Sequence, residues 1–96
     1  MSNISIIEKL KGRENYDTWK LSVKTLLEYE GLWNCVIDVD TNANNNTKAR
    51  TKIILLIEPI NYIHVQSATT AKEVWENLEK VFQDSGLTRK VGLLSN

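Results

Sequence analysis

A chain of 96 residues is the size of one small domain, since domains typically run to about 100–150 residues. Its 12 Lys and Arg balance its 12 Asp and Glu, so the formal net charge is zero, which argues against a dedicated polyanion binder with its usual basic excess. Hydrophobic residues make up 42% and charged residues 25%, a globular rather than a disordered mix.

Only four Gly and one Pro punctuate the chain, which favours helices over tight turns. Ile4, Ile6, Ile7 and Leu10 follow neither a helical nor a strand period. Residues 1–12 therefore read as an extended or weakly helical arm that ends where Gly12 turns the chain. The first helix is predicted from Asn15, or from Asp17 a little later, as N-cap, to Gly31, a C′ residue for which a left-handed backbone costs nothing. Tyr16, Trp19, Val23, Leu26 and Leu27 form its apolar stripe. Lys20, Lys24 and Glu28 fall on or beside the opposite face. The Lys24–Glu28 pair has the less favourable orientation and is worth about 0.2–0.5 kcal/mol at most.

Leu32, Trp33, Val36 and Ile37 are spaced for one or two helical turns. Residues 38–47, rich in Asn and Asp, read as a flexible loop, because short polar side chains bond their own backbone. Thr47 is then the predicted cap of a second long helix reaching about Glu58. Ala49, Ile53, Leu56 and Ile57 make its inner stripe, Ile54 and Leu55 widen it, and Lys48, Arg50 and Lys52 mark its wet side. Pro59 breaks that helix. Ile60 to Val65 resume as a short helical turn with Ile60, Ile63 and His64 inward.

Thr70 to Glu73 form a capping box. The helix it opens carries Ala71, Val74, Trp75, Leu78, Val81 and Phe82 on one side. Lys72, Glu76, Glu79 and Lys80 lie on the other, with Glu76 and Lys80 correctly oriented to pair. Asp84, Ser85 and Gly86 end it. Leu87, Val91 and Leu94 begin another helix in 87–96, whose stripe stops mid-pattern and predicts a longer polypeptide.

The residues for catalysis are sparse. Cys35, the single cysteine, can form no intramolecular disulfide or cysteine cluster and suits a reducing compartment; in an apolar cluster it reads as a buried inert thiol. His64 reads as a structural histidine. Together they supply too few ligands for zinc, which takes roughly three or four. Asp38 and Asp40 lack the glycine and terminal glutamate of a calcium loop. No glycine-rich phosphate loop or nucleophile elbow is present. The longest apolar run, Ile53 to Ile57, falls far short of the roughly 20 residues of a membrane span, and no basic-then-apolar leader opens the chain. Lys48, Arg50 and Lys52, with Arg89 and Lys90, are either solvated helix faces or a weak RNA contact. Trp19 and Trp75 read as core anchors; Trp33 is divided between the core and a partner contact.

The run from Leu10 to Lys20, with Gly12, Asn15, Tyr16 and Trp19, resembles the opening block of Gag polyproteins of copia-type LTR retrotransposons. Leu26-Leu27, Gly31-Leu32-Trp33 and Val36-Ile37 continue the likeness, as does Thr70-Ala71-Lys72-Glu73-Val74-Trp75-Glu76-Asn77-Leu78. The match covers nearly the whole chain in order. It implies an all-α orthogonal bundle of about five helices, like the N-terminal lobe of a retroelement capsid protein, and no enzyme, cofactor, metal, membrane or small-molecule substrate. The implied partner is the chain itself, in a particle that encloses element RNA in the cytoplasm, or in the nucleus. Without a second lobe or a C-x-x-C-x-H-x-C knuckle in this chain, RNA would be held by other parts of the full-length protein. Ile4, Ile6 and Ile7, the outer face of the first helix, and Trp33 are the expected self-association residues. The alternative is a domesticated Gag-derived host protein that acts as an adaptor or an assembly inhibitor.

Overall fold

The computed structural model describes residues 7–83 and is all-α. Among these residues are α1 (Arg13–Tyr29), α2 (Trp33–Val36), α3 (Ala43–Leu55), a 3-10 helix (Pro59–His64) and α4 (Ala71–Phe82). Ile4, Ile6 and the segment 87–96 lie outside the described residues. α3 lies against α4, and α2 packs on both.

The core is the one the helical periods select, except that Leu55, expected to widen the α3 stripe, is 50% exposed. Tyr16, Trp19, Val23, Leu26 and Leu27 of α1 are buried with Ala49 and Ile53 of α3, Leu56 and Ile57 just after it, and Ala71, Val74, Trp75 and Leu78 of α4. Phe82 packs on this core half-buried. Each large aliphatic group so enclosed contributes about 1.5–3 kcal/mol.

An aromatic column runs through it. The His64 ring stands edge-on to Phe82 at 5.8 Å, Phe82 stacks on Tyr16 at 5.7 Å, and Tyr16 on Trp19 at 6.1 Å. Trp19 stacks on Trp75 at 5.8 Å, and Trp33 meets Trp75 edge-on at 5.1 Å. Such pairs add about 0.5–1.5 kcal/mol beyond their buried area. The column ties α1, α2, α4 and the 3-10 helix together. Burial pushes the Tyr16 phenol well above its ordinary pKa, with Glu79 and Asp17 adding to the effect.

Several boundaries differ from the sequence expectation. Gly12, not Asn15, is the N-cap of α1, and its backbone is extended at φ 178°, so it makes no left-handed turn. Asn15 sits one turn in and reaches back. Its Oδ1 accepts from the N–H groups of Lys11 at 2.9 Å and Gly12 at 3.3 Å, and its Nδ2 donates to the Lys9 carbonyl at 3.0 Å. The asparagine still serves the helix start, through the segment before it. At the other end Gly31 has φ 74°. Its N–H donates to Glu28 O at 3.1 Å and that of Leu32 to Leu27 O at 2.7 Å, the two bonds of a Schellman motif.

α3 starts at Ala43 rather than after Thr47. Asn42 Oδ1 accepts from Asn45 N–H at 2.9 Å. Asp40 accepts from Asn42 N–H and from the Asn45 amide, each at 2.9 Å. The Asn-rich run is thus a cap and a first helical turn, and only its front part is loop. These donors hold the Asp40 carboxyl below its ordinary range.

α3 ends at Leu55 because the next residues turn to another partner. Leu10 N–H donates to Leu56 O and Glu58 N–H donates to Leu10 O, both at 2.9 Å, an isolated parallel bridge between Leu10 and Ile57. Asn61, buried in the 3-10 helix, donates its amide to Leu10 O at 2.8 Å. Leu10 is fully buried and Ile7 packs half-buried on the core. The 3-10 helix is the larger correction: Ile60 and Ile63 face solvent. The inner side carries Asn61 and, three residues on, the half-buried His64, whose ring meets Phe82, with Val65 buried just after the helix.

Candidate functional site

The face of α1 turned from the core carries Leu21, Thr25 and Tyr29 at helical spacing. Leu21 is 68% and Tyr29 79% exposed. Thr25 Oγ1 donates back to Leu21 O at 2.8 Å, which removes its hydroxyl hydrogen from competition for outside partners. Two large apolar side chains one turn either side of a self-satisfied threonine suit a protein contact better than solvent. A second apolar surface is the 3-10 helix, with Ile60, Ile63 and the partly exposed Tyr62. A third is the α2–α3 loop, where exposed Ile37 and Val39 flank Asp38, whose φ is 66°.

Trp33 lies between the two readings given to it. It is half-buried, with one edge on Trp75 and the Lys24 ammonium 5.3 Å over its ring. Lys24 therefore serves Trp33. Beside it Glu28, Gly31, Trp33 and Asn34 line a shallow hollow of about 230 Å³.

The basic residues do not form a free track. Lys48 is exposed. Arg50 Nε donates to Ala68 O at 3.0 Å, fastening α3 to the segment before α4. Lys52 pairs with Glu30 at 2.9 Å and so joins α3 to the end of α1. Two of the three cations thus make bonds within the domain. Lys20 is likewise used internally, at 3.5 Å from Glu79 and hydrogen-bonded to Gln83. On α4 the ion pair runs from Lys72 to Glu76, at 3.7 Å, where the sequence favoured Glu76 with Lys80.

The α4 cap has its expected hydroxyl half. Thr70 Oγ1 accepts from Glu73 N–H at 3.1 Å. The carboxylate half is shifted by one residue: Glu73 accepts from Thr69 N–H at 2.7 Å and from its hydroxyl at 3.1 Å. These bonds hold the Glu73 carboxyl below its ordinary range. Asn46 Oδ1 takes the Ala71 N–H at 3.0 Å, so α3 helps cap α4.

Cys35 is buried, and burial pushes its thiol up, with Asp40 adding to the effect; both keep it protonated and unreactive. Among the described residues no cluster of His, Cys, Asp or Glu could hold a metal ion, and no helix is long and apolar enough to cross a membrane.

The residues that sequence reasoning missed are Leu10, Asn61 and the exposed isoleucine pair. No local signal marks them, because each depends on the contact between the arm and the segment after α3.

A sequence model of the family described as gag-polypeptide of LTR copia-type matches residues 14–96. No curated protein and no solved structure matches the chain.

Proposed function

The chain belongs to the gag-polypeptide family of copia-type LTR elements, and from that premise we propose that it is a capsid lobe that self-associates into virus-like particles. The family match carries this reading. Its surface supports it: a neutral domain can pack many copies without long-range repulsion, and weak contacts gain avidity when repeated. Tyr16, Trp19, Trp33 and Trp75 of the aromatic column fall in the blocks that resemble the family, so those blocks help to build the lobe and leave its outer faces to make contacts. One of those contacts uses the α1 face of Leu21 and Tyr29. The particle encloses element RNA through segments other than this lobe, since Arg50 and Lys52 are engaged within it.

Electron microscopy of the gag polypeptide that contains this chain, expressed alone, tests the reading. Closed particles are the expected result, and Leu21→Asp with Tyr29→Asp should abolish them while the helical circular dichroism stays intact. Dispersed protein at high concentration, with the fold preserved, would overturn it.

A further inference from the structure

The 3-10 helix Pro59–His64 is amphipathic in the inverted sense. It buries the polar Asn61 and leaves Ile60 79% and Ile63 67% exposed, with Tyr62 beside them. Residues three apart eclipse one another on such a helix, so the two isoleucines form one ridge. The base of that ridge is anchored on several sides. Pro59 fixes its first turn, and the Asn61 amide is tied to the carbonyls of Leu10 and Lys11. Asn77 Nδ2 donates to His64 O at 3.1 Å, and the His64 ring abuts Phe82. A segment that places its apolar residues outward on a rigid base breaks the local rule without a gain inside the domain. Such breaks concentrate where a surface is used.

The chemistry of the ridge selects its partner. From Pro59 to Ala71 the chain carries no Asp, Glu, Lys or Arg. Lys11, whose carbonyl Asn61 meets, pairs its own ammonium with Glu8 at 2.9 Å. Glu58 and Lys72 bound this run, so the ridge itself offers a charged partner no counter-charge, whereas an uncharged apolar ridge is complementary to another of its kind. The zero net charge lets two copies approach. Three side chains per copy bury on the order of a few hundred Å², against about 1,200–2,000 Å² for a stable complex. That makes a contact too weak to stand alone and effective only when repeated.

We infer that Ile60 and Ile63, flanked by Tyr62, form a two-fold contact with the same residues of a second copy. The inference rests on the self-association reading and adds a surface to it. A two-fold contact pairs two copies and stops, so an extended shell needs a second, different contact. The α1 face supplies that one.

Sedimentation velocity of the chain, from micromolar to millimolar concentration, tests the ridge with the variants Ile63→Glu and Ile63→Lys. The near-ultraviolet spectrum and melting temperature of each variant confirm its fold. Wild type should associate as concentration rises, and each variant alone should associate at least about tenfold more weakly. An equimolar mixture of the two should recover association, because opposite charges then meet across the axis. A folded Ile63→Glu chain that associates like wild type overturns the ridge and leaves the self-association reading standing. Loss in both variants without recovery on mixing overturns the two-fold arrangement. Wild type that stays monomeric throughout overturns both readings together.

Discussion

Trp19 and Trp75 lie face to face, ring centroids 5.8 Å apart and planes 23° from parallel, and so bolt α1 to α4. Trp19 also donates its indole N–H to Leu56 O at 2.7 Å, which brings in the end of α3. Trp75→Ala should cost about 3–5 kcal/mol as a core cavity. Trp19→Phe keeps a ring and loses the donor, and Leu56 O retains the Leu10 N–H, so its cost should be smaller, about 1–2 kcal/mol. Urea denaturation followed by far-ultraviolet circular dichroism separates the two; equal losses would remove the indole pair from its central place.

Two glycines offer a paired test. Gly31 has φ +74° and open space where a Cβ would go, so Gly31→Ala carries only backbone strain, about 1–2 kcal/mol. At Gly12 the backbone is extended, and a Cβ would meet the flexible end of Glu14 at 2.7 Å. Gly12→Ala should therefore stay within about 0.5 kcal/mol of wild type. Thermal melts of both proteins check the order.

Asn61 buries a side-chain donor against Leu10 O. Asn61→Asp puts an acceptor where the donor stood and buries a carboxylate, whose pKa burial raises. The variant should be destabilised at neutral pH and should recover part of the loss as acid protonates the new carboxyl. Melting temperatures at neutral and mildly acidic pH give the sign, and a loss that deepens on acidification would contradict it.

The Glu73 carboxyl is held below its ordinary value by the N–H and hydroxyl of Thr69. The unfolded chain therefore binds a proton here more readily than the folded one, and stability rises with pH across this window. The contribution is complete above the ordinary glutamate range and is lost as pH falls through the lowered value. Glu73→Gln should flatten that acid limb, as stability measured against pH will show.

Helical periodicity made much of this fold legible. Tyr16, Trp19, Val23, Leu26 and Leu27 recur with the α-helical spacing and are buried. Thr70 starts its helix and Gly31 ends its own through local chemistry visible in a few adjacent residues. What was illegible depends on distant segments or on a different period. Leu10 is buried because Leu56 and Glu58 complete its backbone bonds, a pairing that no window around Leu10 contains. Asn61 lies in the expected helical turn, but its burial is explained only by the Leu10 carbonyl, 51 residues away in sequence. Ile60 and Ile63 share a face on either kind of turn, and the anchoring of Asn61 on the distant Leu10 carbonyl is what leaves that face outward. Arg50 and Lys52 read as a wet face from their helical spacing, and only the segments folded against α3 show that Ala68 O and Glu30 claim them.

The Leu10 clasp closes a long loop. Its three hydrogen bonds cross from the arm to residues that follow α3, so the folded state carries the closure entropy of the whole stretch between them. The amides of Leu10 and Glu58 should exchange with deuterium as one cooperative unit, earlier than those of α4. The same clasp carries the folded body upstream of residue 14, where the family match begins, and a chain trimmed to that start would lose its latch before it lost a helix.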